Sequence, residues 1–239
     1  MRVVIIGKRS FLSQRLKELM KGSHLVSSNF INKKGFANKY VRNNTTFIIN
    51  SFYPLFKILE NSTDNKKLIN QTVLFLINFL LKISKKKNIK ILYSSTCAVK
   101  NFNPNLLNSR SVYSSTKLLC EQILSEHCQK FKIKLIITRL FNVYGGNDRA
   151  SVIHKIITAS KIKPLKINNN GNSKRDFIFV DDVCKVYRNL LESNFSGFID
   201  VGTGKSFSIK NLVNLSEKQF LLNKKKIKED KISKANIKK

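Results

Sequence analysis

The chain opens on an apolar run, Arg2–Ile6, that stops at Gly7 and gives way to Phe11–Met20, where Leu12, Leu16 and Leu19 recur with helical spacing. The first run reads as a strand and the second as a helix. The same exchange continues along the chain. Strands are expected at His24–Ser28, Thr46–Asn50, Ile89–Ser94 and Lys134–Leu140, with a buried helix at Leu68–Ile83 and another helix at Tyr113–Gln129. Strands that read as unbroken apolar runs are buried on both faces, and their alternation with helices implies crossovers between parallel neighbours. The pattern predicts an α/β fold, a doubly wound parallel sheet of Rossmann type.

The last third breaks this rhythm. Lys166–Ile167, Phe177–Val180, a helix from about Asp182 to Glu192 and then Gly197–Val201 suggest a small mixed C-terminal substrate-binding lobe. The main domain is expected over residues 1–145 with parts of 175–203, and the lobe over 146–223. Residues 224–239 carry eight lysines against Glu229 and Asp230, which reads as a basic, disordered tail.

Composition narrows the class. With 42% hydrophobic residues the chain can bury a core and is not disordered throughout. Leu68–Ile83 spans 16 residues and contains Asn70, Gln71, Asn78 and Lys82. A membrane span needs roughly 20 mostly apolar residues, so no membrane insertion is expected. The run ending at Gly7 is too short for a secretory signal. Cys97, Cys120, Cys128 and Cys184 form no C-x-x-C pair and, with three histidines, give neither a zinc pattern nor a disulfide framework. A cytoplasmic setting follows as the expectation.

Charge raises a different class. Lys+Arg 45 against Asp+Glu 14 gives a formal net charge of +31, which attracts polyanions. The lysines run the whole length, however, and accompany many Asn and Ile residues, the signature of A/T-rich codons. Compositional bias with a preference for anionic small substrates is favoured over nucleic-acid binding, since net charge speaks to association and not to fold.

Two stretches carry chemistry. In Gly7-Lys8-Arg9-Ser10-Phe11-Leu12-Ser13 a strand enters a glycine turn and then a helix N-terminus, whose free N–H groups and dipole suit a phosphate. Serines occupy the second and third glycine places of a G-x-x-G-x-x-G pattern; a serine is small and its hydroxyl can itself bond phosphate. The second strand ends in Ser27-Ser28-Asn29 with no acid to hold a ribose 2′-OH, and Lys33 and Lys34 follow. That leans towards NADP over NAD. Further on, Tyr113 and Lys117 stand four apart on one helix, so both point the same way. A nearby ammonium favours a phenolate and suits proton exchange with a carbinol. Just upstream, Tyr93-Ser94-Ser95-Thr96 offers a hydroxyl at the carboxyl end of a parallel strand, where such sheets bind ligands.

In this order, with Arg139-Leu-Phe-Asn142-Val-Tyr-Gly145, Arg175-Asp-Phe-Ile-Phe-Val-Asp181-Asp182 and Asp200-Val-Gly202-Thr-Gly204, the chain resembles the extended short-chain dehydrogenase/reductases of the NAD-dependent epimerase/dehydratase family, from Met1 to about Leu215. The resemblance implies an enzyme using NAD or NADP on a nucleotide-linked sugar in surface-polysaccharide synthesis, with a homodimer as a candidate assembly. It implies that Gly7, Ser10, Phe11, Leu12 and Ser13 bind the cofactor. Thr96 would bond the reacting sugar oxygen, Tyr113 would be the acid/base, and Lys117 would bond the nicotinamide ribose and tune Tyr113. Asn142 and Arg175 would meet the substrate diphosphate, a role a guanidinium fits well. Asp181 and Asp182 read instead as helix N-caps.

Departures from the family sharpen the expectation. Dehydratases carry Asp-Glu after the catalytic Thr, and 3,5-epimerising members carry a Cys two places after it; here Cys97 and Ala98 follow Thr96. Hydride transfer alone remains, as in a 4-epimerase or keto-sugar reductase. The short segment between the second strand and Thr46 implies a lost strand on the adenine side, Phe52 and Tyr53 stand where the family has small residues, and the Thr96–Tyr113 span is short. Such erosion also fits a non-catalytic member acting as a nucleotide-binding or scaffolding module.

Overall fold

The structure is a computed structural model, and it describes residues 2–50, 62–103, 105, 109–149, 151–159 and 167–219. Six strands form one all-parallel sheet: β1 (Arg2–Ile6), β2 (His24–Val26), β3 (Thr45–Ile49), β4 (Lys90–Thr96), β5 (Lys134–Leu140) and β8 (Gly197–Val201), in the order β2-β1-β3-β4-β5-β8. Strand numbering follows the chain, so three short strands intervene elsewhere: β6 (Asn142–Tyr144), β7 (Lys174–Phe179) and β9 (Ser206–Ser208). These make a second sheet, with β6 parallel and β9 antiparallel to β7.

The period-2 alternation of the long strands explains both faces. Val4, Ile6, Phe47, Ile49, Ile91 and Tyr93 turn to one side, against α4 (Phe75–Ile83) and α5 (Ser109–Lys130). Val3, Ile5, Ile48, Leu92 and Ile136 turn to the other, against α1 (Phe11–Leu19) and α7 (Val180–Glu192). Both sides are apolar because helices cover both, as the doubly wound reading requires. Ile156, Phe177 and Ile209 form a separate small core under the second sheet, between α6 (Val152–Ile157) and a helix over 209–219.

Several expected elements shift. β2 stops at Val26, and a 3-10 turn at Ser28–Asn32 and α2 (Lys34–Tyr40) lead directly to β3. Among the described residues β2 is alone on its side of β1, in line with the shortened adenine side. The expected helix at Leu68–Ile83 begins earlier, as α3 (Ser62–Ile69), and reaches α4 through a π-type stretch at Asn70–Leu74, where the Thr72 hydroxyl donates to the Leu68 carbonyl at 2.5 Å. It is not buried all round. Phe75, Phe79 and Ile83 face the core, while Leu74, Ile77 and Leu81 are exposed. Ile167 is not in a strand, and Lys166, Phe52, Tyr53 and the 224–239 segment lie outside the described residues. No helix among the described residues is long and apolar enough to cross a membrane.

Candidate active site

The site grows from the carboxyl ends of the parallel strands. At the end of β1 the backbone must reverse, and Gly7 does so at φ 115°, a conformation that disfavours a side chain. The Gly7 and Lys8 N–H groups donate to the Val26 carbonyl at 2.9 and 3.2 Å, which docks the turn on the end of β2. Ser10 then caps α1 in extended conformation, its hydroxyl accepting from the Ser13 N–H at 3.4 Å. The two serines differ. Ser10 lines a cavity with Phe11 and Leu12, whereas Ser13 is fully buried and its hydroxyl accepts from the Asn50 side-chain amide at 3.1 Å. The Ser13 hydroxyl thus faces the core, between helix and sheet.

That cavity, of about 230 Å³, is completed by Ser95, Thr96, Tyr113, Leu140, Phe141 and Val143. It brings the start of α1 together with the two hydroxyls singled out in the sequence. Thr96 ends β4 and caps the following turn, its Oγ1 accepting from the Ala98 N–H at 3.3 Å. Burial pushes the Tyr113 phenol above its ordinary value, with the neighbouring Cys97 acting the same way. Burial likewise pushes the Cys97 thiol up. A larger cavity, about 690 Å³, lies elsewhere, between α2 and α4. Its charged lining is Arg42, Lys82, Lys85 and Lys86, and it offers no acid or nucleophile.

Lys117 sits one helical turn below Tyr113 and is 2% exposed. Its ammonium donates to the Ser94 carbonyl at 2.8 Å and to Tyr93 Oη at 3.0 Å, and lies 4.5 Å from the Tyr93 ring centroid. Burial pushes this amine down to about 8, against the pull of Cys120 and Glu121. The expected lowering of the Tyr113 phenol is not the net effect here: burial dominates, and the shift is upward.

Beneath the cavity runs a polar layer that sequence reasoning missed. Ser94 Oγ donates to Asn50 Oδ1 and lies 2.6 Å from Tyr187 Oη, which in turn lies 2.8 Å from Thr138 Oγ1. With the Asn50–Ser13 bond this chain links α1, β3, β4, α7 and β5 through groups that are all essentially unexposed. Each hydroxyl of this layer finds a partner, as burial demands. Beside it, the Ser95 hydroxyl donates to Glu121 at 2.5 Å, and Arg139 grips both oxygens of that carboxylate at 3.2 and 2.7 Å. Arg139, a charge inside the apolar run of β5, was the available signal, since a buried charge requires a partner.

The remaining candidates fall in the second sheet and do not line the Thr96–Tyr113 cavity. The Asn142 side chain donates to the Asp176 carbonyl at 2.9 Å, tying β6 to β7. Arg175 pairs with Phe207 across β7 and β9, is half-buried, and makes no side-chain hydrogen bond or ion pair with another described residue. Next to it, the Asp176 carboxylate accepts from the Thr203 N–H, the Thr203 hydroxyl and the Gly204 N–H at 2.7–3.0 Å. A side chain at Gly202 would place its Cβ 2.6 Å from Asp176 Oδ2 and 2.7 Å from the Phe141 ring, so that position needs glycine. Asp181 and Asp182 are not caps. β7 runs straight into α7 with Phe179 at the cap position, and both acids lie in the first turn, where they complement the helix dipole. Asp181 also receives Arg15 of α1 in a two-pronged ion pair at 2.6 and 2.7 Å.

A family model described as NAD dependent epimerase/dehydratase family matches residues 2–202. A putative UDP-glucose 4-epimerase of Methanocaldococcus jannaschii is 30% identical over 157 residues, 60% of this chain and 51% of that protein. UDP-glucuronic acid decarboxylase 3 of Arabidopsis thaliana is 27% identical over 173 residues, 63% of this chain and 50% of that protein. The chain thus spans about half the length of the curated relatives it matches. Among solved structures, UDP-glucuronic acid 4-epimerase from Bacillus cereus in complex with NAD superposes with a TM-score of 0.76 at 19% identity, over 91% of this chain and 82% of that one. At that identity the likeness is one of fold.

Proposed function

Because the chain belongs to the NAD dependent epimerase/dehydratase family, we propose that it is a cytoplasmic NAD(P)-dependent epimerase or reductase acting on a nucleotide-linked sugar, in surface-polysaccharide synthesis. The observation that carries this reading is one cavity lined by Thr96, Tyr113 and the first residues of α1. The residues present fit a dinucleotide. The Gly7 turn leaves the N-terminus of α1 open to an anion, with Ser10 beside it, and the two reactive hydroxyls line the same cavity. When bound, the nicotinamide would supply or accept the hydride.

The chain's own residues manage the proton. Tyr113, held protonated by burial, is in the form that donates to a sugar carbonyl oxygen as hydride reaches its carbon. The carbonyl becomes an alcohol, and the phenolate is reprotonated from solvent. Thr96 Oγ1 bonds the same oxygen and fixes its direction. Running the reaction towards oxidation needs the phenolate, which a nearby positive charge favours, and the Lys117 ammonium is the buried cation closest in the helix. Arg175, without a protein partner among the described residues, is suited to the substrate diphosphate. Cys97 and Ala98 bring no carboxylate behind Thr96, which supports hydride transfer without the carbon-acid step of a dehydratase.

Replacing Tyr113→Phe tests this reading. Cofactor and nucleotide-sugar binding should persist while turnover, followed by nicotinamide absorbance, falls by at least about 10²-fold. Turnover within a few-fold of the parent would remove Tyr113 from the chemistry. A second reading, a non-catalytic nucleotide-binding module, draws support from the inward-facing Ser13 hydroxyl. Nucleotide-sugar binding without turnover in the parent protein would favour it.

A further inference from the structure

The turn of α5 that follows Lys117 carries a buried charge to which the chemistry above gives no part. Tyr113, Lys117 and Glu121 are spaced four apart and so lie along one face of the helix. Glu121 is 2% exposed. Its carboxylate accepts from the Ser95 hydroxyl at 2.5 Å and from two nitrogens of Arg139 at 3.2 and 2.7 Å. Ser95 and Arg139 are direct partners in the β4–β5 register, and the Arg139 guanidinium rests over the Phe198 ring of β8 at 4.8 Å. One carboxylate therefore joins α5 to the ends of two central strands. The joint lies beside the reacting groups. The Ser94 carbonyl accepts from the Lys117 ammonium at 2.8 Å, Ser95 donates to Glu121, and Thr96 is the next residue. Ser95 and Thr96 line the cavity together with Tyr113.

We propose that Glu121 is a positioning residue for the proton transfer: it fixes the end of β4, which carries Thr96, against the helix that carries Tyr113, and it supplies the negative charge that faces Lys117. The proposal rests on the catalytic reading of the Thr96–Tyr113 cavity. Stability alone does not account for such a pair, since both ions must be taken out of water and apolar side chains of similar volume often serve a core as well or better. What the pair supplies is direction. The guanidinium fork sets the plane of the carboxylate, and the carboxylate sets the Ser95 hydroxyl. Its charge matters as well. The described titratable groups around the Lys117 ammonium are Tyr93 from β4 and Tyr113, Cys120 and Glu121 from its own helix. Burial pushes both phenols and the Cys120 thiol above their ordinary values, so all three are neutral where Lys117 loses its proton, at about 8. Glu121 remains as the anion of the group, with Arg139 as its balancing cation.

Two measurements on the full chain test this. Nitrogen NMR of the lysine side chains needs no substrate: one amine should titrate near about 8 in the parent and be missing in Lys117→Met. Glu121→Gln keeps the size of the side chain and one acceptor for Ser95. In that variant the titration should move to lower pH, because the anion is gone and Arg139 is left unbalanced. The second measurement uses UDP-glucose and NAD⁺ as probes. Reduced nicotinamide formed in a single turnover should appear about 10- to 100-fold more slowly in Glu121→Gln, while the UDP-glucose concentration giving half the maximal rate stays within about threefold. Glu121→Met combined with Arg139→Met leaves neither charge buried alone; it should melt cooperatively and yet stay as slow as Glu121→Gln. An unmoved lysine titration, a Glu121→Gln rate within about threefold of the parent, or parental rates in the double variant would each overturn the proposal. A slow Tyr113→Phe beside a fast Glu121→Gln would overturn this inference alone, whereas Tyr113→Phe as fast as the parent would overturn the catalytic reading beneath it.

Discussion

Lys117 offers a measurement in which stability and chemistry report on the same proton. In the unfolded chain this lysine keeps its proton up to the ordinary value of 10.5, whereas in the folded protein burial lowers that value to about 8. Between the two, the unfolded state binds more protons than the folded one. Stability therefore rises with pH across that window, is fully present above the unfolded value, and is lost as pH falls through about 8. The gap corresponds to about 3 kcal/mol at about 1.4 kcal/mol per pH unit. Lys117→Met keeps the length of the side chain, removes the titration, and leaves Tyr93 Oη and the Ser94 carbonyl short of a donor by the same amount at every pH. Urea unfolding of parent and variant from about pH 7 to about pH 10 isolates the effect, because other titrating groups cancel in the difference. The parent should gain about 2–3 kcal/mol on the variant across that range. If the charged ammonium supports the chemistry, turnover of the parent should fall with a midpoint near about 8. A difference in stability that stays flat within about 0.5 kcal/mol would refute the buried-amine argument.

Arg175→Ala should weaken nucleotide-sugar binding by about 1.5–3 kcal/mol in calorimetry while sparing the dinucleotide; equal losses would point to a structural role. Ser13→Gly should restore the third glycine of the pattern yet lower stability by about 1–2 kcal/mol without tightening dinucleotide binding, because the hydroxyl it removes is bonded to Asn50. Tighter binding would mean the side chain had stood in the way. Tyr187→Phe keeps the buried ring and removes a hydroxyl shared by Ser94 and Thr138. Thr138 can fall back on the Tyr93 carbonyl at 3.2 Å, so the net cost should be about 1–2 kcal/mol, or about 2–8 °C in Tm by circular dichroism. An unchanged Tm would show that the polar layer contributes nothing.

The sheet was legible because the alternation in Val3-Val4-Ile5-Ile6 and its counterparts is fixed by backbone geometry alone. The Tyr113–Lys117 spacing correctly placed both residues on one helix, but one-dimensional spacing does not say which turn reaches the cavity and which reaches the core. Tyr113 lines the cavity; Lys117 points at the strand beneath. Asn50, Ser94, Thr138 and Tyr187 were invisible for a related reason. Each lies at the end of an apolar run or within an apolar stripe, and only the crossing of five elements makes them neighbours. Asp181 and Asp182 misled because the helix starts earlier than their position suggests: Phe179 takes the cap position, and both acids fall in the first turn.

The flanks of the main sheet have a consequence for life in a crowded cell. Among the described residues the sheet closes no barrel, and β2 and β8 each keep one row of backbone groups without a partner strand. Such rows invite pairing with a foreign chain. β2 limits the invitation by running only three residues. β8 starts at a glycine, and its Asp200 is tied to Lys100. The chain as a whole carries a formal net charge of +31, which sets like charges against each other when a second copy approaches. The excess of lysine is therefore more than an imprint of codon usage: for an open sheet of this kind it acts as a solubility device whose protection weakens as salt concentration rises.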